Sequence, residues 1–132
     1  IANYWSLTHK LMKTQEIALI AANVMYIDDV NEIDVSRSLF NDYSMSSLDF
    51  VDFAFELKST SGKDFSPDQL WPVNTMMSNP EFYSSGKWTD AGKTELVRVF
   101  AGYTELQDGQ LNSEALHNLF SVNYIQHRLA AM

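Results

Sequence analysis

The clearest hydrophobic pattern in the chain lies between residues 39 and 57, where a polar turn runs into a largely apolar segment. At about 100° per residue, Asp49, Asp52 and Glu56 fall within roughly 60° of one another on a helix. Most of the remaining circumference is apolar and comprises Leu48, Phe50, Val51, Phe53, Ala54, Phe55 and Leu57. The pattern predicts a helix over residues 47–58 that is buried on most sides and carries a narrow acidic stripe.

Two further segments flank this helix. Residues 7–25 contain no glycine or proline and predict a long first helix, with Tyr4 and Trp5 packed at its start. After residue 58, a turn rich in Ser, Gly and Asp precedes Pro67, which suits the first position of a short helix because its missing amide needs no partner there. The connector over residues 26–38 is acidic, but its regularly recurring apolar residues indicate a loop fixed to a core: Ile27, Val30, Ile33 and Val35.

The C-terminal part of the chain also shows helical patterns. Thr89 can cap a helix whose apolar positions follow the i, i+3, i+4, i+7 rule, and a QDGQ turn then leads to Asn112 or Ser113, which can cap a last helix. No segment predicts a strand, so the fold class is all-α. The segment 78–87 is the best candidate for a boundary, which divides the chain into a bundle over 1–80 and a helical extension over 81–132, packed on the core.

Composition limits the function. With 132 residues and 45% hydrophobic content, the chain can bury the core of one domain. It has no cysteine, so thiol chemistry would have to come from a prosthetic group. The net charge of −8 argues against nucleic-acid binding and favours basic protein partners. No apolar run is long enough for a membrane span and no secretion signal is evident, so we expect a cytoplasmic protein.

The sequence contains none of the common spacing motifs of an enzyme active site or a metal site. His9, His117 and His127 are widely spaced and predict no metal site. The acidic run over residues 28–34 has apolar residues at the positions where a calcium loop needs oxygen ligands. Since there is also no GxSxG, P-loop or GxGxxG motif, we do not expect an enzyme.

The serines before the predicted helix remain. Ser46 or Ser47 can act as its N-cap, with Asp49 placed favourably in the first turn. A serine at that position also lies where the helix dipole favours a phosphoryl group. The alternative is structural: the serine is only a cap, and the acidic stripe is only a solvated face.

These residues resemble those of the acyl carrier protein family and the related peptidyl carriers. The family places a D-x-G-x-D-S-L-D motif ahead of its second helix, after a leucine and an aromatic residue. In this chain the corresponding positions are Leu39, Phe40, Asp42, Ser44, Ser46, Ser47, Leu48 and Asp49. The long first helix, the DVSRSLF loop, the GKDFSPDQL turn and the WPVNTM segment also look like landmarks of the family, so that the resemblance covers roughly residues 7–80.

The resemblance implies a four-helix bundle, with three longer helices and one short one, followed here by additional C-terminal helices. It implies that Ser47 receives a 4′-phosphopantetheine arm from coenzyme A through a phosphopantetheinyl transferase. The arm would carry acyl groups as thioesters between enzymes of a fatty-acid, lipid or polyketide-type pathway. Leu48, Asp49, Asp52 and Glu56 would dock on basic patches of acyl-loading and acyl-transferring or condensing enzymes, and we expect a monomer.

Two positions depart from the family motif. Ser44 replaces its glycine, and Ser46 replaces the aspartate before the modified serine. Ser46 is therefore a rival acceptor, although the following Leu48 and Asp49 favour Ser47. Three alternatives stay open: a peptidyl or aminoacyl carrier, a domain excised from a larger synthase, and a helical adapter that is never modified. The extension could cover Phe50 and Phe53, extend an acyl pocket or dock a partner.

Overall fold

The computed structural model describes residues 12–132, in which nearly all regular secondary structure is helical, and the predicted all-α class is confirmed. A two-stranded hairpin and two single-turn 3₁₀ helices, Val30–Glu32 and Asp108–Gln110, interrupt the α-helices. We number the α-helices in chain order: α1 Thr14–Val24, α2 Ser47–Ser61, α3 Pro67–Leu70, α4 Val73–Met77, α5 Asp90–Val99, α6 Ser113–His117 and α7 Val122–Ala131.

Helix α1 begins later than the sequence pattern predicts. Lys13 is extended, and its amide donates to the carboxylate of Glu16 at 3.1 Å, which satisfies an amide that the first turn would leave without a partner. The predicted start at Leu7 and the predicted packing of Tyr4 and Trp5 lie outside the described residues. From Ile17 onward, the buried side chains of α1 face the core: Ile17, Ala18, Ala21 and Ala22.

Helix α2 begins at Ser47 as predicted and continues one turn further than Lys58, to Ser61. It ends at Gly62, which has a φ of 71°, a left-handed conformation that glycine adopts without a steric penalty. One face of α2 is buried and contains Phe53, Ala54, Leu57 and Ser61.

Helix α3 confirms the predicted turn into a short helix. Ser66 is its N-cap, Pro67 is its first residue, and the side chains of Ser66 and Gln69 each accept a hydrogen bond from the other residue's amide. Trp71 and Pro72 then lead into α4, where Val73 and Met76 are buried.

The expectation that the chain contains no strand was wrong. Strands β1 (Tyr83–Ser84) and β2 (Lys87–Trp88) pair antiparallel in the segment predicted as a boundary. Ser85 and Gly86 between them both have positive φ, 55° and 76°, as a tight two-residue hairpin turn requires. The strands are too short to show the alternating pattern on which strand prediction depends, so Ser-Gly at the turn was the available signal.

The predicted last helix is two helices. Asn112 caps α6, which ends at His117, and Ser121 caps α7 through a hydrogen bond from the amide of Tyr124. The apolar spacing continues across residues 118–121, but Ser121 satisfies a new set of N-terminal amides and so starts a separate helix.

Helix α7 packs against α1 and α3. The hydroxyl of Tyr124 donates to the carbonyl of Leu70 at 2.8 Å, and the buried ammonium of Lys63 donates to the carbonyl of Leu129 at 2.6 Å. Within residues 12–80, α1 and α2 are long and α3 and α4 are short, so this part of the chain does not contain the third longer helix that the resemblance implies. Two further helices of ten residues each, α5 and α7, follow residue 80. A division of the chain at residue 80 stays a prediction.

None of the helices between residues 12 and 132 has the length and hydrophobicity needed to cross a bilayer.

Candidate functional site

The start of α2 is closed by a reciprocal pair of hydrogen bonds. Ser46 is the N-cap: its hydroxyl accepts from the amide of Asp49 at 3.1 Å, while the Asp49 carboxylate accepts from the amide of Ser46, also at 3.1 Å. Each side chain thereby satisfies one amide that the helix itself cannot bond. The sequence left open whether Ser46 or Ser47 is the cap, and the structure assigns this role to Ser46.

Ser47 is the first residue of α2 and is exposed. Its hydroxyl makes no hydrogen bond to any residue that the structure describes, in contrast to that of Ser46. The amide of Phe50 donates to the carbonyl of Ser46 at 2.9 Å. The amides of Ser47 and Leu48 have no hydrogen-bond acceptor among the described residues. An exposed hydroxyl beside two amides at the positive end of a helix dipole is a suitable point for a phosphodiester.

The turn before Ser46 is held by Asp42 and bent at Ser44. The Asp42 carboxylate accepts from the amide of Ser38 at 2.9 Å. Ser44 has a φ of 57°, in the left-handed region where a side chain costs energy and glycine does not. Met45 then returns to the core, with its amide bonded to the carbonyl of Leu39 at 3.0 Å. Ser44 therefore keeps a backbone conformation that suits the glycine of the motif.

The same turn is hydrogen-bonded to the C-terminal part of the chain. The amide of Leu39 donates to the carbonyl of Phe120 at 2.8 Å, and the hydroxyl of Ser38 donates to the carbonyl of His117 at 2.7 Å. The side-chain amide of Asn41 donates to the carbonyl of Glu114 at 3.1 Å. These bonds position the segment before Ser47 from residues more than 70 positions away, which the sequence analysis did not anticipate.

The three acidic residues of the predicted stripe differ in burial and in their hydrogen bonds. Asp49 is partly buried and bonded to the helix cap, whereas Asp52 and Glu56 are exposed and form no ion pair with the described residues. Leu48 is exposed over 79% of its side chain, beside Ser47. Asp52, Glu56 and Leu48 are thus free to meet a partner, and Asp49 has a structural role as well.

The expectation that α2 is buried on most sides was wrong. Leu48, Val51 (51% exposed) and Phe55 (68% exposed) point outward, because no other described element covers this side of the helix. They are spaced at i, i+3 and i+7, so they form one row beside Asp52 and Glu56. The spacing was visible in the sequence, but apolar residues alone do not reveal whether another element covers them.

The inward side of α2 meets an aromatic cluster. Phe120 stacks on Phe40 with ring centroids 4.3 Å apart, and it meets Phe50 at 5.7 Å and Phe53 at 6.5 Å. Trp71 meets the Phe120 ring edge-on, with centroids 5.1 Å apart. The C-terminal segment therefore covers Phe50 and Phe53, the first of the three roles considered for it.

His117 lies at the outer edge of this cluster, with its ring 5.2 Å from that of Phe40. One ring nitrogen lies 3.0 Å from the side-chain oxygen of Asn74. Partial burial disfavours the charged imidazolium and lowers the pKa of His117 below its usual range. The indole N–H of Trp71 is buried and has no hydrogen-bond partner among the described residues.

No group of three or more His, Asp or Glu side chains within residues 12–132 is arranged to hold a metal ion. In the described part of this region, the hydroxyl of Ser47 lies at a helix N-terminus, with an apolar and acidic helix face beside it.

Comparison with known proteins agrees with this geometry. Residues 15–76 match the family described as "Phosphopantetheine attachment site". An acyl carrier protein of Coprothermobacter proteolyticus is 29% identical over 75 residues, which are 57% of this chain and 90% of that protein. No solved structure matches the chain significantly.

Proposed function

We propose that this protein, whose residues 15–76 match the phosphopantetheine-attachment family, is a carrier that holds its prosthetic group on Ser47 and transports acyl groups between enzymes. Proteins of this family are carriers and not enzymes, and their prosthetic group is a covalently attached 4′-phosphopantetheine. When bound, this group supplies the thiol that forms thioesters. The chain itself has no thiol, because it contains no cysteine.

The observation that carries the assignment to Ser47 is the difference between the two neighbouring hydroxyls. The hydroxyl of Ser46 accepts a hydrogen bond from the amide of Asp49, whereas that of Ser47 is exposed and unbonded among the described residues. A transferase that modified Ser46 would remove the cap of α2, at a cost of about 1 kcal/mol. Modification of Ser47 leaves the cap intact and places the phosphate beside the free amides of the first turn.

The remaining residues of the site orient and present this hydroxyl. The Asp42 carboxylate and the left-handed Ser44 shape the turn, and the reciprocal bonds of Ser46 and Asp49 fix where α2 begins. Because these bonds fix the first turn of α2, an arm attached to Ser47 would leave the protein from a defined point.

The face of α2 beside Ser47 supports a docking role. Leu48 offers an exposed apolar contact, and Asp52 and Glu56 offer negative charge that complements a basic patch. The partners would be a phosphopantetheinyl transferase and enzymes that load, transfer or condense acyl groups. Asp49 contributes charge to the same face, although the helix cap uses its carboxylate.

The pathway would be one of fatty-acid, lipid or polyketide-type synthesis. A peptidyl or aminoacyl carrier is the nearest alternative, because both kinds of carrier attach the same arm. An unmodified helical adapter is the alternative from a different class, and the exposed hydroxyl of Ser47 argues against it.

The test is enzymatic loading followed by intact-mass measurement. We expect the full chain, incubated with coenzyme A, magnesium and a broad-specificity phosphopantetheinyl transferase, to gain one phosphopantetheine. Ser47→Ala should gain none, and Ser46→Ala, the matched control, should still be loaded. Failure of the wild type with this transferase and with that of its own host would overturn the carrier proposal. Loading of Ser47→Ala would overturn only the assignment of the serine.

A further inference from the structure

The interior of the bundle directly behind Ser47 is occupied by a side chain from the C-terminal segment. Phe50 is three residues after Ser47, so it lies about one helical turn along α2, on the side that faces inward. Phe120 contacts Phe50, Phe53 and Phe40 at once and is fully buried. A chain that entered the bundle past the half-buried rings of Phe40 and Phe50 would meet the fully buried ring of Phe120.

The position of Phe120 is fixed by its backbone as well as by its ring. Its carbonyl accepts from the amide of Leu39, and the following Ser121 caps α7. Trp71 packs edge-on against the Phe120 ring with centroids 5.1 Å apart, within the range of a favourable aromatic pair. Displacing the backbone at Phe120 would therefore break its hydrogen bond with Leu39, as well as several ring contacts.

We infer that Phe120 excludes the acyl chain from the interior of the bundle, so that the acyl group carried on Ser47 remains outside. This inference rests on the proposed carrier function and adds where the carried chain lies. Each methylene that enters an apolar interior contributes favourably to the free energy, so exclusion from the interior removes this dependence on chain length. Phe120 is the residue that determines the exclusion.

The test compares acyl groups of different length on the full chain. Amide analogues of acetyl- and octanoyl-pantetheine are attached to Ser47, and intact mass verifies complete loading. In the wild type we expect the acetyl and octanoyl forms to have the same thermal midpoint and the same NMR position of the Trp71 indole N–H. A higher midpoint and a shifted Trp71 signal in the octanoyl form would mean that the chain enters the interior, and would overturn the inference.

Phe120→Ala removes the ring and leaves space next to Phe50 and Phe53. We expect a lower midpoint in this variant, partly recovered by octanoyl but not by acetyl, together with a shift of the Trp71 signal. The matched control is Phe100→Ala, which removes another fully buried ring that contacts Trp71 and Tyr124. This control should also have a lower midpoint but show no difference between the two acyl groups.

Each remaining result has a definite meaning. If Phe120→Ala folds and shows no effect of chain length, Phe120 does not exclude the chain and the inference fails. If Phe120→Ala does not fold, Phe120→Leu makes the same comparison with a smaller loss of volume. Absence of any adduct in the mass spectrum would instead overturn the proposed function, and is seen before chain length is compared.

Discussion

The side chains of Ser46 and Asp49 each hold the other residue's backbone amide, at 3.1 Å in both directions. This reciprocal pair fixes the first turn of α2, and the neighbouring hydroxyl of Ser47 makes no hydrogen bond to the described residues. Ser46 therefore stabilises the helix, whereas Ser47 is the proposed attachment site. Mutation of each serine separates the two roles.

Ser46→Ala is expected to lower the free energy of unfolding by about 1 kcal/mol, because the amide of Asp49 loses its acceptor. Ser46→Asp should restore the stability, since aspartate is an equally good N-cap and adds negative charge at the helix N-terminus. Urea denaturation followed by circular dichroism measures both. An unchanged stability in Ser46→Ala would show that the cap contributes nothing to α2.

Ser44→Gly is expected to raise the free energy of unfolding by about 0.5 to 1 kcal/mol, because Ser44 has a left-handed backbone that glycine adopts more easily. Ser44→Ala is the matched control: it removes the hydroxyl but keeps the β-carbon, so it should bring no gain. Chemical denaturation of the three proteins ranks them. A gain in Ser44→Ala equal to that in Ser44→Gly would mean that the hydroxyl, and not the backbone, is the source of the penalty.

His117 should make stability depend on pH. Its pKa in the folded protein is lowered by burial, so the unfolded chain binds the proton more readily. Stability should therefore fall as the pH drops below the ordinary histidine pKa of about 6.5, and it should not be affected by this group above that value.

The variant His117→Gln isolates this contribution from that of the carboxylates, which titrate in both proteins. Comparing unfolding at about pH 5.5 and about pH 7.5, we expect a smaller loss of stability in the variant than in the wild type. An equal loss in the two proteins would contradict the assignment to His117.

Reversal of charge at Asp52 and Glu56 tests the docking face. The double variant Asp52→Lys, Glu56→Lys should be loaded on the order of tenfold more slowly at low salt by a transferase with a basic docking patch, and the difference should shrink as salt is added. The matched control reverses two exposed acids outside α2, Glu81 and Glu105, with the same change in net charge. Equal slowing in both double variants would show that only the total charge matters.

Much of this protein was predictable because it depends on local chemistry. The start of α2, the cap at Thr89, Pro67 at the first position of α3 and the all-α class follow from spacing and from capping residues, which act within a few positions of the chain. The motif around Ser47 also placed the candidate site, since its residues are consecutive.

The sequence by itself determined where α2, α3 and α5 begin and placed two serines ahead of the acidic face. Only the tertiary structure decided which apolar residues are covered. Phe55 and Phe53 are chemically identical and two positions apart, yet Phe55 is exposed and Phe53 is fully buried. The physical reason is that burial depends on which distant segment lies opposite. Phe120, 67 positions after Phe53 in the chain, covers one ring, and no described element covers the other.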